Sequence, residues 1–325
     1  MKLRVAVIYG GRSGEHEISI RSAKAIMAAL DPEKYQKIEY FIDLEGKWLP
    51  RPILPEPTAQ PDIDVVFPVL HGTFGEDGTV QGLLELADLP YVGAAVLASA
   101  VSMDKEMMKR VCAERMLPVV DYVSLARGAA NGLEACAHLG FPVFVKPANL
   151  GSSVGISKAH NPEELDRAIE LASQYDRKII VERGIIGREL ECSVLGNEEP
   201  EASLPCEILP SREFYDYEDK YLLDRAETKV PADLPPTKTD ELRSLAVACY
   251  RAVECEGMGR VDFLLETATG KLYINEINTI PGFTSISMYP KMWEHSGIGF
   301  AALIDRLIEL ALERHKRKKA TKFKR

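Results

Sequence analysis

Apolar residues fall into short β-branched runs that alternate with stretches of helical period. Residues 3–9 (LRVAVIY) form the first run and stop at Gly10-Gly11, the pattern of a buried parallel strand. From about Glu17 to Leu30 the apolar positions Ile18, Ala25, Ile26 and Ala29 keep helical spacing, and Asp31-Pro32 ends it. Strands are expected over Ile38–Ile42 and Asp64–Leu70, a helix over about Thr79–Ala87, and a short strand at Tyr91-Val92. The proline-rich stretch Arg51–Pro61 reads as a loop. This alternation predicts an open α/β domain whose ligands sit at the carboxyl ends of its strands.

A second segment begins near Asp104. It carries a helix over Lys105–Arg115, strands around Val119–Ser124, Val143–Lys146 and Ile179–Glu182, and a helix over Glu163–Ser173. A third starts near Arg188 with a strand over Glu189–Leu195 and ends in an amphipathic helix, Gly299–Glu313. Between these, Pro210–Pro236 is polar, rich in aromatics and without a clear apolar period. A loop that long is usually functional or disordered. The expected class is therefore α/β, with domains at 1–104, 105–187 and 188–325.

The net charge of −9 excludes a general nucleic-acid binder, which needs many cations on phosphates. A nucleotide needs only a few local ones. The strong basic run, Arg314–Arg325, reads as a solvated, frayed tail. The six cysteines are scattered, with no CxxC pair, and read as buried reduced thiols. The chain opens directly into a strand pattern, and no apolar run reaches membrane-spanning length. The expected compartment is the cytoplasm, with no membrane partner.

Five constellations could carry chemistry. Gly10-Gly11-Arg12-Ser13-Gly14-Glu15-His16-Glu17 follows the first strand. Its carboxylates would repel phosphate and suit an ammonium group, unless the segment is a tight turn with a helix cap. His71-Gly72-Thr73-Phe74-Gly75-Glu76-Asp77-Gly78 ends the third strand and puts His71 on the same sheet edge as Glu15. Lys146 leads into the small residues Ala148-Asn149-Leu150-Gly151-Ser152-Ser153, whose successive N–H groups can form an anion nest. Lys105 would supply a second cation. Strands Gly259–Leu265 and Leu272–Asn278, joined through Thr267–Gly270, form a hairpin. Centred near Thr269, it sets Asp262 opposite Glu276, with Asn278 on the Glu276 face. Opposed carboxylates need a neutralising cation, and hard oxygens suit Mg²⁺. Arg260 is expected on the other strand face unless a bulge or strand end intervenes. Last, the run Glu213 to Tyr221 interleaves aromatics with charge, as a lid over substrate would.

In this order the five motifs resemble the D-alanine–D-alanine ligase family of ATP-grasp enzymes, from Gly10 to about Phe300. The resemblance implies an ATP-grasp fold of three domains and an ATP- and Mg²⁺-dependent ligase, using two ions that Mn²⁺ can replace. It implies that Lys105, Lys146 and Ser153 bind phosphates. Glu182, Arg183 and Ile185 would flank adenine, and Glu189 the ribose. Asp262, Glu276 and Asn278 would be metal ligands. Glu15 and His71 match first-substrate residues. Glu15, Ser152 and Tyr221, with Lys220, match a set that ties the lid to the phosphate loop. Arg260, Gly282, Ser287 and Met288 match the second-substrate and intermediate site. Arg183 stands where the family often has Lys, and Met288 where many members have Leu. The implied partners are D-alanine, ATP and a second copy in a homodimer. The alternatives are a D-alanine–D-lactate ligase, another ATP-grasp carboxylate–amine ligase, and a nucleotide-binding paralogue without catalysis. The glycine spacing and acidic turn argue against a Rossmann dehydrogenase.

Overall fold

The run Leu3–Gly10 forms β1, and its centre, Val5–Ile8, is fully buried. Such burial needs cover on both faces of the sheet. The computed structural model, which describes residues 2–129, 132–151, 154–209, 227–284 and 286–322, supplies it. Helix α1 (His16–Ala29) leads into β2 (Tyr35–Ile42), β3 (Trp48–Leu49) and β4 (Val65–Pro68). The sheet order is β3-β2-β1-β4, with β2 and β4 parallel to β1 and β3 antiparallel to β2. Helices α2 (Thr79–Leu86) and α3 (Val96–Met103) follow.

Helix α4 (Lys105–Glu114) starts at Asp104, whose carboxylate accepts the N–H groups of Glu106 and Met107 at 3.1 Å each. The second sheet then builds from β5 (Tyr122–Ala126), α5 (Gly132–Cys136), β6 (Val143–Pro147), β7 (Ser157–Ala159), α6 (Pro162–Ser173) and β8 (Lys178–Arg183). Its order is β5-β8-β6-β7, antiparallel throughout. Strand β5 starts later than the expected Val119. Val119 instead bridges to Ile274 of the third sheet, so the two sheets meet there.

The third sheet comprises β9 (Gly187–Gly196), β10 (Glu201–Ala202), β11 (Cys206–Leu209), β12 (Glu227–Lys229), β13 (Gly257–Glu266) and β14 (Leu272–Asn278). The order is β12-β11-β9-β13-β14, with β10 also on β9. Strand β12 corrects part of the expected structureless stretch, because it gains its order from pairing with β11 rather than from an apolar period. Helices α7 (Pro236–Ala252) and α8 (Met288–His295) were not expected. Yet α7 buries Leu242, Ala246, Cys249 and Tyr250, at helical spacing. All six cysteines are free and buried. Among the described residues no helix is long and apolar enough to cross a membrane.

The reading of the basic run as a frayed tail is corrected. The last helix, α9, spans Phe300–Lys319. Its stripe of Leu303, Ile304, Leu307, Ile308 and Ala311 packs with Val5, Val7, Val65 and Phe67 of the first sheet, so the first and third segments share a core. Arg314 continues the stripe and is buried. Its guanidinium lies 4.3 Å above the Tyr91 ring and donates to the carbonyls of Tyr91, at 2.8 Å, and Gly93. Arg317 pairs with Glu256, Lys318 with Glu85, and Lys319 with Asp88. These acids come from other elements, which sequence proximity could not reveal. Gly93 (φ +91°) also abuts Gly257: a Cβ on Gly257 would lie 3.1 Å from the Gly93 oxygen. Arg314 therefore braces a backbone-to-backbone seam at the start of β13. Arg314→Met should cost roughly 2–4 kcal/mol of stability, since it orphans buried carbonyls. Chemical denaturation measures this, and an unchanged midpoint would remove the brace from the account.

Candidate active site

Between the second and third sheets lies a cleft of about 430 Å³. Phe144, Ile156, Ile185 and Leu264 give it apolar walls, and Lys105, Lys146, Glu189 and Glu276 line it with charge. The strands explain the arrangement. Phe144 pairs with Glu182 across β6 and β8, and Lys146 lies two residues along β6, so all three share a face. Lys146 Nζ sits 2.6 Å from Glu182 Oε2 and 3.2 Å from Asn275 Oδ1. Burial opposes the Glu182 carboxylate's charge, but Lys109 and Lys146 outweigh it and hold it down to about 2. Lys105 Nζ donates to the Leu150 carbonyl at 2.8 Å and lies 3.3 Å from Glu276. The Arg183 guanidinium pairs with Glu266 at 2.9 Å and stacks on Tyr273, on the hairpin.

The hairpin register sets Asp262 opposite Glu276 as expected, and Arg260 opposite Asn278. The register shifts between Asp262 and Phe263, leaving Asn275 as the extra residue of a bulge. The bulge lets consecutive residues, Asn275 and Glu276, both line the cleft. The expected placement of Arg260 is corrected. Residues two apart share a strand face, and Arg260 clasps Asp262 through two bonds of 2.7 Å. Arg260 also lies 3.3 Å from Glu191 of β9, and Glu191 pairs with Asp262. Glu191, missed in the sequence, shares a face with Glu189 by period two, and that was its signal. The carboxylates of Asp262 and Glu276 therefore meet protein cations, Arg260 and Lys105. Their opposition does not by itself demand a metal. Asn278 Nδ2 bonds Asp262 at 3.1 Å. Among the described residues no group of three His, Cys, Asp or Glu could hold a metal ion. Two carboxylates and an amide oxygen form a partial hard-ligand set, which phosphate oxygens and water complete for Mg²⁺.

At the edge of the first sheet, Glu15 and His71 do come together. A Cβ on Gly72 (φ +72°) would lie 2.7 Å from Glu15 Oε2, and one on Gly151 of the cleft 3.6 Å from it. Glycine at position 72 leaves room for the carboxylate. His71 is buried, which pushes its imidazole below the usual range against the pull of Glu15. The hydrogen bonds then assign its protons. The Ile280 carbonyl, 3.0 Å away, can only accept, so Nδ1 carries the hydrogen. Ser22 Oγ, at 3.2 Å, donates to Nε2 and accepts the Phe283 N–H at 3.3 Å. His71 thus ties the first segment to the turn that carries Gly282. Gly282 abuts Ser287, whose hydroxyl meets Thr284 Oγ1 at 2.8 Å. Met288 Sδ contacts Cys206, packing on the cluster of Cys206, Ile208 and Met292. Ser152, Ser153, Lys220 and Tyr221 lie outside the described residues.

Glu76 was named within its motif but given no role. Its carboxylate accepts the Gly72 N–H at 2.8 Å. Burial and the neighbouring Glu15 charge push it up to about 8. A carboxyl raised in the folded state keeps stability below its unfolded value and loses it as pH rises towards the folded one. The ligand-free protein should thus lose stability between about pH 4.5 and 8 through this group. Glu76→Gln should flatten that decline in thermal melts across the range. A variant whose pH profile superimposes on the wild type would refute it.

Two family models match the chain: D-ala D-ala ligase N-terminus over residues 4–60 and 52–94, and D-ala D-ala ligase C-terminus over 111–309. The D-alanine–D-alanine ligase of Solibacter usitatus is 77% identical over 325 residues, all of both chains. Among solved structures, the D-alanine–D-alanine ligase of Coxiella burnetii superposes with a TM-score of 0.89 at 41% identity, over 98% of this chain and 96% of that one. The Bacillus anthracis enzyme complexed with ATP gives 0.82 at 30% identity, over 97% and 99%. With both models matched in order and relatives aligned end to end, the chain belongs to the D-alanine–D-alanine ligase family.

Proposed function

We propose that this protein joins two D-alanines into D-alanyl-D-alanine at the expense of ATP, for peptidoglycan precursor synthesis in the cytoplasm. One observation carries the reading: the charged end of the cleft meets the first-sheet site. Gly151 lines the cleft beside Glu15, and the charge of Arg260 reaches both Glu76 and Glu276. A phosphoryl donor in the cleft and an amino acid at Glu15 would therefore adjoin.

The roles follow from position. Phe144, Ile185 and Leu264 offer an apolar slot for a base, and Glu189 a carboxylate for ribose hydroxyls. Glu182 and Arg183 flank that slot. Lys105 and Lys146 face the phosphates, with Ser153 assigned to the same loop. Glu15 suits the ammonium of the first D-alanine, and neutral His71 fixes the wall beside it. The first carboxylate attacks the γ-phosphorus, ADP leaves, and an acyl phosphate forms. The amine of the second D-alanine then attacks the acyl carbon, and phosphate leaves. Arg260 and the Gly282 N–H are placed to hold the oxyanion of that step. Ser287 and Met288 wall the second site. Asp262, Glu276 and Asn278 would hold Mg²⁺, or Mn²⁺ in its place, as two ions. Such ions supply charge neutralisation for phosphoryl transfer. Ser152, Lys220 and Tyr221 keep the roles that the family resemblance implies, closing the site against water. Domains of 1–104, 105–187 and 188–325 remain our division. The proposed homodimer would use apolar side chains exposed on the adjacent α2 and α3, Leu86 and Leu97. Leu97→Glu should then yield a monomer in sedimentation, and an unaffected dimer would exclude that face.

The test of function is a coupled assay with ATP and Mg²⁺. D-alanine should release ADP, phosphate and the dipeptide, whereas L-alanine should release none. Equal turnover with L-alanine, or D-lactate as the preferred acceptor, would overturn the assignment. Glu276→Gln should raise the Mg²⁺ requirement and lower turnover with the fold intact.

A further inference from the structure

Lys109 has no part in the roles above, yet it is fully buried beside the cleft. It lies one turn after Lys105 on α4, so the two share a helix face. Lys105 reaches the cleft, and Lys109 stays behind it. The Lys109 ammonium sits 2.9 Å from Glu182 Oε1, while Lys146 takes Oε2 at 2.6 Å. The Tyr122 ring lies 5.9 Å from the same ammonium. One buried carboxylate thus bridges two lysines, and of the two it is Lys146 that lines the cleft.

The charges decide what this does. Glu182 with Lys146 alone would be a neutral pair, and the carboxylate would compete with any phosphate for that ammonium. A second ammonium on the carboxylate leaves the group of three with one net positive charge. It also shares the attraction of Glu182 between two partners. Simple packing does not call for this, since an apolar side chain would fill the space without desolvating an ammonium. We propose that Lys109 is a positioning residue for ATP. By occupying Glu182 from behind, it leaves Lys146 as a net cation aimed at the phosphate end of the cleft. The proposal rests on the reading of the cleft as the nucleotide site.

The test is calorimetric titration of the full chain with ATP, ADP and AMP in Mg²⁺, with thermal melting as the check on folding. Lys109→Gln keeps a donor for Glu182 but removes the charge, and Lys109→Met removes both. Each should weaken ATP binding by about tenfold or more. The loss should shrink from ATP to ADP to AMP, because it acts through phosphate charge. The KM for D-alanine should stay within about twofold of wild type, as the Glu15 site is untouched. In Lys109→Gln/Glu182→Gln the net charge of one returns, and ATP affinity should recover. ATP affinity unchanged in Lys109→Gln, an equal loss for ATP and AMP, or no recovery in the double variant would each overturn the proposal. If neither single variant folds, the double variant decides: near wild-type ATP affinity supports the charge account, and a large loss ends it. A wild-type protein that binds none of the three nucleotides would instead refute the cleft reading.

Discussion

Three carboxylates lie in one row across three adjacent strands, Glu191 on β9, Asp262 on β13 and Glu276 on β14, and the site is organised around that charge. Such a row is untenable without cations between its members. Arg260 sits against two of the three and Lys105 against the third. The bulge at Asn275 is part of the same solution. It turns Asn275 towards Lys146, so the hairpin meets both lysines of the cleft. A second balance stands behind it, in which Lys109 and Lys146 share Glu182. The cleft is therefore a surface of paired charges, with positions set by mutual attraction before any ligand arrives.

The chemistry needs these charges registered against the first sheet, and buried contacts achieve it. His71, held neutral, hydrogen-bonds to the Ile280 carbonyl and, through Ser22, to Phe283. At the opposite side Arg314 reaches Tyr91 and Gly93, next to the contact between Gly93 and Gly257. Between them the helix α9 fills one face of the first sheet. Residues far apart in the chain thus share one core, which holds the amino-acid site and the cleft in a single geometry.

The site was legible where its signal was local. The strand ends at Gly10 and His71, the lysine before the small-residue loop, and the register of Asp262 with Glu276 all follow from period-two patterns and turn chemistry. Arg260 was misplaced although the same rule puts residues 260 and 262 on one face. Glu191 was missed although it alternates with Glu189. Lys109 left no local trace, since its partner Glu182 is on another element.

By itself the sequence determined the α/β class, most strands and helices, the order of the motifs and the family. These depend on periodicity and on contiguous residues, which a chain displays without folding. Tertiary structure decided the rest. It joined α9 to the first sheet, paired the basic run with distant acids, and made β12 a strand by giving it a neighbour. It also chose the cation that answers each carboxylate. Ion pairing and burial depend on distance in space, and only packing converts separation along the chain into contact.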